Sequence, residues 1–139
     1  MCGIYGSISD DAASRVLEGL RKLEYRGYDS AGLAALFPEY NGPIETEKTI
    51  GYVSDLISKA NGRFDNAHIS IGHTRWATHG GVTDDNAHPH SSNDGKITIV
   101  HNGIIENSSG LSERIQNLGY NISSETDTEV IVHLLDHEL

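Results

Sequence analysis

Residues 1–8 read Met1-Cys2-Gly3-Ile4-Tyr5-Gly6-Ser7-Ile8, which places the only cysteine of the chain directly ahead of a short strand-like run, Gly3 to Ile8. Removal of Met1, usual when the next residue is small, leaves a thiol and a free α-amine on Cys2. An α-amine has an ordinary pKa of ~7.7 to 8.0, so near neutrality it can take the thiol proton and later return it to a leaving amine. Taken alone, Cys2 reads first as a small hydrophobe buried at a chain start. A lone cysteine in any case excludes an internal disulfide.

Outward from this stretch, Asp10 or Asp11 is placed to cap a helix with the apolar stripe Val16, Leu17, Leu20 and Leu23, ending near Tyr25-Arg26-Gly27. Ala31 to Phe37 and Ile44 to Ile50 read as strands around an Asn41-Gly42 turn, followed by a helix from Ser54 to Ala60. Ile69 to Arg75 and Lys96 to His101 alternate like strands, and the long Gly/Asp/Asn/His-rich connection between them is a place for function. Asn107 or Ser108 caps Leu111 to Leu118 with Gly119 as the stop, and Thr126-x-x-Glu129 reads as a capping box ahead of Val130, Ile131, Leu134 and Leu135. Helices interleaved with short hairpin-like strands predict a layered α+β architecture, and no phosphate-loop or Gly-x-Gly-x-x-Gly pattern supports a doubly wound nucleotide-binding fold.

With 139 residues the chain is expected to form one domain that buries roughly 68% of its unfolded surface. Hydrophobic residues make up 37% and charged residues 22%, which excludes a disordered tail and a membrane-embedded chain. Twenty acids against ten bases give a net charge of −10, so a nucleic-acid partner is not expected. No signal-like start and no run of ~18 apolar residues is present, and the expected compartment is the cytoplasm, with no membrane partner.

Five blocks run along the chain: Cys-Gly-Ile-x-Gly from Cys2; Leu23-Glu24-Tyr25-Arg26-Gly27-Tyr28-Asp29-Ser30-Ala31-Gly32; His73-Thr74-Arg75-Trp76-Ala77-Thr78-His79-Gly80; His101-Asn102-Gly103-Ile104-Ile105-Glu106-Asn107; and Ser124-Glu125-Thr126-Asp127-Thr128-Glu129. Together they resemble the class II glutamine amidotransferases. The second and third blocks favour the fructose-6-phosphate branch over phosphoribosyl-pyrophosphate amidotransferases, which share the Cys2 start. The resemblance implies an N-terminal-nucleophile hydrolase αββα sandwich with antiparallel sheets. It also implies that residues 1–139 are the first part of a glutaminase domain that continues past Leu139, with the isomerase domain absent.

On that resemblance Cys2 is the nucleophile and its freed amine the base, while the Asn102 amide and the Gly103 N–H form an oxyanion hole. Without the flanking blocks Asn102-Gly103 is a hairpin turn. Arg75 is similar in place to the arginine that holds the glutamine α-carboxylate, though a lone arginine at a strand end is most often a solvated charge. Asp127 matches the partner of the substrate α-ammonium and is otherwise a plain helix cap. Thr78 and His79 line the glutamine pocket, Trp76 gates ammonia and is otherwise a core residue, and Arg26 orients the N-terminal residue. No cofactor is implied.

Zinc is not expected, because His68, His73, His79, His88, His90 and His101 lack chelate spacing and read as surface or hydrogen-bonded histidines. The implied reaction hydrolyses glutamine to glutamate and ammonia through a Cys2 thioester, with the ammonia passed to fructose 6-phosphate in a full-length homo-oligomer. A non-catalytic glutamine-binding fragment and another class II branch are the alternatives.

Overall fold

The computed structural model describes residues 1–139. Its elements run β1 (Gly3–Ile8), α1 (Ala12–Leu23), β2 (Ser30–Leu36), β3 (Glu45–Ile50), α2 (Val53–Ala60), β4 (Ile69–Arg75), β5 (His90–Ser91), β6 (Thr98–Ile99), α3 (Ser108–Asn117) and α4 (Asp127–Glu138). A single 3-10 turn, Glu24–Arg26, follows α1. The four long strands form an antiparallel sheet in the order β1-β4-β2-β3, and β5 and β6 pair as a second, two-stranded antiparallel sheet.

Strand alternation assigns the two faces of the large sheet. Ala31, Leu33 and Ala35 of β2 turn towards α1 and α2 and join Val16, Leu20, Val53, Leu56 and Phe64 in the core. Each fully buried Leu or Phe there contributes roughly 1.5 to 3 kcal/mol. The opposite face, which carries Gly32, His73 and Arg75 in register, receives the second layer. Gly32 permits this approach, since a Cβ added there would lie 2.0 Å from the His88 carbonyl oxygen. Beyond β5 and β6 lies α4, with α3 packed beside it. The order is therefore helices, sheet, smaller sheet, helices.

Several local expectations need correction. The β2–β3 connection is the irregular segment 37–44, not a tight Asn41-Gly42 turn, because Ile44 leaves the hairpin to donate its N–H to Gly95 (2.8 Å). The strand expected over Lys96 to His101 shrinks to Thr98–Ile99, whose only partner is the two-residue His90–Ser91. Asp11 does precede α1 but makes no cap bond, and its carboxylate instead takes Arg15 at 2.6 Å. Asn107 likewise makes no side-chain cap bond to α3. The Thr126-x-x-Glu129 box does not close: Glu129 accepts the N–H groups of Ser123 (2.8 Å) and Ser124 (2.6 Å), and Thr126 Oγ1 pairs with His90 Nε2 at 2.7 Å. Longer-range partners have outbid the local cap.

Candidate active site

The antiparallel pairing of Gly3 with Thr74 carries Cys2 to the exit of β4. There the Trp76 N–H donates to Cys2 Sγ at 3.3 Å, and the thiol reaches the Trp76 carbonyl at 3.7 Å. The turn after α1 packs directly on this exit. Gly27 is needed because a Cβ there would stand 2.8 Å from both Arg75 C and Trp76 N. Asp29 then fastens the segment, donating its N–H to the Arg75 carbonyl (3.0 Å) and accepting the Ala77 N–H on Oδ2 (2.8 Å). The second and third sequence blocks are thus one clamp.

Arg75 is 4% exposed, so the solvated-charge reading of this residue is wrong. Its guanidinium donates to the carbonyls of His79 and Gly81, the latter at 2.9 Å. That loop is held by Asn86, whose Nδ2 donates to Gly81 O (3.0 Å) and Glu125 Oε2 (2.8 Å) while its Oδ1 accepts the Glu125 N–H (2.8 Å). No carboxylate lies within ion-pair distance of Arg75. A buried guanidinium satisfied only by neutral oxygens keeps its charge available for an anion, and burial is what presses its pKa down from the ordinary arginine value.

Asn102 and Gly103 do not form a hairpin turn; they lie in the irregular segment between β6 and α3. Asn102 Oδ1 is 2.7 Å from His73 Nε2. Gly103 adopts φ +148, open to glycine and costly for other residues, and its N–H has no partner within the chain. Asp127, the first residue of α4, accepts the Ile105 N–H on Oδ2 at 2.7 Å, which ties the segment after Gly103 to the helix. It is more than a cap: its other oxygen remains available at a helix N-terminus.

All nine residues singled out from the sequence, Cys2, Arg26, Arg75, Trp76, Thr78, His79, Asn102, Gly103 and Asp127, line one cavity of about 390 Å³. Trp76 is not a core residue, being 43% exposed at the rim with its ring edge-on to Tyr28. Arg26 faces Met1, with Nη2 3.8 Å from its Sδ. The cavity wall also holds His88, His101, Thr126 and Thr128, which the sequence reading did not assign. Asn86 and Glu125 were missed as well; Glu125 sits inside a quoted block, whereas nothing in the sequence flags Asn86.

Three histidines cluster here, His88 in the wall and His73 and His90 behind it. His73 and His88 stack with centroids 4.1 Å apart, and His90 meets His88 edge-on at 4.7 Å. Burial pulls His73 down to about 4 and His90 to about 3, and pushes His88 further below the ordinary value, so all three are neutral at physiological pH. No group of three or more His, Cys, Asp or Glu side chains is gathered closely enough to hold a metal ion. No helix is long and apolar enough to cross a membrane.

The glutamine amidotransferase domain family matches residues 48–138. The chain is 51% identical to glutamine–fructose-6-phosphate aminotransferase (isomerizing) of Pseudomonas aeruginosa, over 100% of this chain and 22% of the relative. It is also 51% identical to the protein of the same name from Pyrococcus horikoshii, over 100% of this chain and 23% of the relative. It thus spans less than a quarter of the length of these relatives. Among solved structures, the glutamine phosphoribosylpyrophosphate amidotransferase of B. subtilis, complexed with ADP and GMP, superposes with a TM-score of 0.79 at 26% identity, covering 98% of this chain and 29% of that one. A structure described as the allosteric regulatory enzyme of purine biosynthesis superposes at 0.81 and 27% identity, with the same coverage of 98% and 29%. The sandwich of helices, two antiparallel sheets and helices is the one these amidotransferases share.

Proposed function

Because the chain belongs to the glutamine amidotransferase domain family, we propose that Cys2 hydrolyses glutamine and that each cavity residue has the role its position supports. The observation that carries this reading is the set of complementary groups that line one cavity. They include a buried guanidinium with no carboxylate within ion-pair distance, Arg75, and a carboxylate, Asp127. Those groups suit the α-carboxylate and α-ammonium of a free amino acid. They also include a thiol, Cys2, and two donors that the chain itself does not use, the Asn102 amide nitrogen and the Gly103 N–H. These suit a carboxamide. A cavity of about 390 Å³ has room for a molecule of that size.

The chemistry follows from the roles. With Met1 removed, the Cys2 amine takes the thiol proton and the thiolate attacks the glutamine carboxamide carbon. Charge developing on the carbonyl oxygen is met by Asn102 Nδ2–H and Gly103 N–H, donors already in place and so stronger at the moment of reaction than mobile water. The amine returns the proton to the departing ammonia, leaving a γ-glutamyl thioester, which water then hydrolyses to glutamate. Thr78 and His79 shape the glutamine end, Arg26 orients the new N-terminus, and Trp76 at the rim gates the exit of ammonia. In a longer cytoplasmic protein carrying this sequence, the ammonia passes to fructose 6-phosphate in an isomerase domain to give glucosamine 6-phosphate. The roughly 50% identity to aminotransferases of that name across 100% of the chain supports this destination. Residues 1–139 are then the first part of the glutaminase unit, supported by the bare apolar face of β1, where Ile8 is 82% exposed. Glutamate release from glutamine by the parent, lost in Cys2→Ala, tests the reading; turnover surviving in that variant overturns it.

A further inference from the structure

Asn102 can meet an oxyanion only if its amide nitrogen, and not its oxygen, faces Cys2. A terminal amide is nearly symmetric in shape, and half a turn about its last bond exchanges donor for acceptor. Something must select between the two settings. Asn102 is exposed along the cavity, and its one side-chain partner is His73, at 2.7 Å between Oδ1 and Nε2.

His73 carries the information that selects. It is 1% exposed, alternates with Arg75 on the same face of β4, and is held flat against His88 with centroids 4.1 Å apart and 15° between planes. A neutral imidazole has one N–H. Its Nδ1 is buried and meets no hydrogen-bond geometry, whereas Nε2 has the Asn102 side chain at 2.7 Å. The proton therefore sits on Nε2, and Nε2 donates to Asn102. An amide receiving that N–H must offer its oxygen. Its nitrogen is left facing the cavity. Burial favours the neutral imidazole, which is the form with a single, assignable proton.

We infer that His73 is a positioning residue for glutamine hydrolysis: through its Nε2–H it locks the Asn102 amide with Nδ2 turned to the oxyanion. His88, packed on the other side of the ring, keeps His73 from turning over. The inference rests on the function proposed above, because it gives Asn102 the oxyanion role.

The test uses the full-length protein carrying this sequence. His73→Leu removes the donor, and His73→Gln keeps an N–H at similar reach. The expected result is a fall in kcat for glutaminase of about 10- to 100-fold in His73→Leu, with KM within about threefold of the parent, and recovery to within about fivefold in His73→Gln. In an Asn102→Ala background, His73→Leu should cost less than about twofold, since the group it positions is gone. A merely structural histidine gives additive losses and no rescue, and that result overturns the inference, as does a folded His73→Leu with parental kcat. The nitrogen chemical shifts of His73 in the ¹⁵N-labelled parent read the tautomer even where a variant fails to fold. A proton on Nε2 is expected, and one on Nδ1 overturns the inference. If the parent neither releases glutamate nor is labelled at Cys2 by a glutamine-like electrophile, the proposed function fails, and the tautomer and the His73–Asn102 bond are still read independently.

Discussion

The Trp76 N–H points at Cys2 Sγ across 3.3 Å, so the thiol that begins the chain is fastened by the peptide that leaves β4, 74 residues later. A donor aimed at sulfur fixes where the Cys2 side chain sits in the cavity. The proposed mechanism also needs the base on the same residue, as the free α-amine of Cys2. The mature N-terminus is therefore expected to be Cys2, read by intact mass as the loss of one methionine. An active protein that quantitatively retains Met1 contradicts the amine-as-base mechanism.

Arg75 and Asn102 should fail differently when altered. Arg75→Lys replaces a two-pronged donor, anchored by the His79 and Gly81 carbonyls, with a point charge that has no such anchor. The expected effect is a rise in KM of roughly tenfold or more with a smaller change in kcat. Asn102→Ala removes a donor used only along the reaction path and should lower kcat by ~10² to 10³, about 2.7 to 4 kcal/mol, with KM little changed. Steady-state glutaminase kinetics separate the two. Near-parental kcat in Asn102→Asp and Asn102→Gly would instead return Asn102 to the status of a loop residue.

Two glycine substitutions probe the layering. Gly32→Ala sets a Cβ 2.0 Å from the His88 carbonyl oxygen, and should cost about 1 to 3 kcal/mol or more by prying the sheet from the second layer. Gly110→Ala, in α3 with nothing within 4 Å of the added Cβ, should gain roughly 0.5 to 1 kcal/mol. Denaturant unfolding of both variants measures this, and a harmless Gly32→Ala would contradict the close approach.

Acid sensitivity follows from the buried imidazoles. His73 near 4 and His90 near 3 lie below the ordinary 6.5, so as pH falls the unfolded chain binds protons before the folded one. Their stabilisation is complete above about pH 6.5 and drains away down through the folded values, by up to about 1.4 kcal/mol per pH unit for each histidine. For Glu129, burial works to raise the carboxyl, but the hydrogen bonds from Ser123 and Ser124 outweigh it and hold the group at about 2, against an ordinary 4.5. Its share is thus lost only between about 4.5 and 2. Thermal melts should show a level Tm above about pH 7 and a decline that begins near 6.5; a flat Tm down to about pH 5 contradicts this.

The parts of the fold set by local periodicity were legible. The stripe of Val16 and Leu20 and the alternation of Ile69 to Arg75 both reappear as elements. The motif blocks also contain all nine residues singled out from the sequence that line the cavity. What escaped was whatever depends on contacts outside the local cap pattern or on partners the fold brings together. Glu129 has the residue type and spacing for a local cap, yet its carboxylate goes to Ser123 and Ser124. His73 reads as one histidine among eight, and its meaning arises only when Asn102 and His88 arrive beside it. Asn86 carries no motif, and it holds Gly81 and Glu125 together through tertiary contacts alone.

The claim on which the account depends is that Cys2 is the nucleophile in a glutamine-shaped cavity. Exposure of the full-length protein to 6-diazo-5-oxo-norleucine, followed by peptide mass analysis, tests it most directly. The account predicts a single adduct, on Cys2 of a chain lacking Met1, that excess glutamine prevents and that Cys2→Ala abolishes together with glutamate release. Labelling at another residue, or glutamine turnover that continues after Cys2 is labelled or replaced, would contradict it.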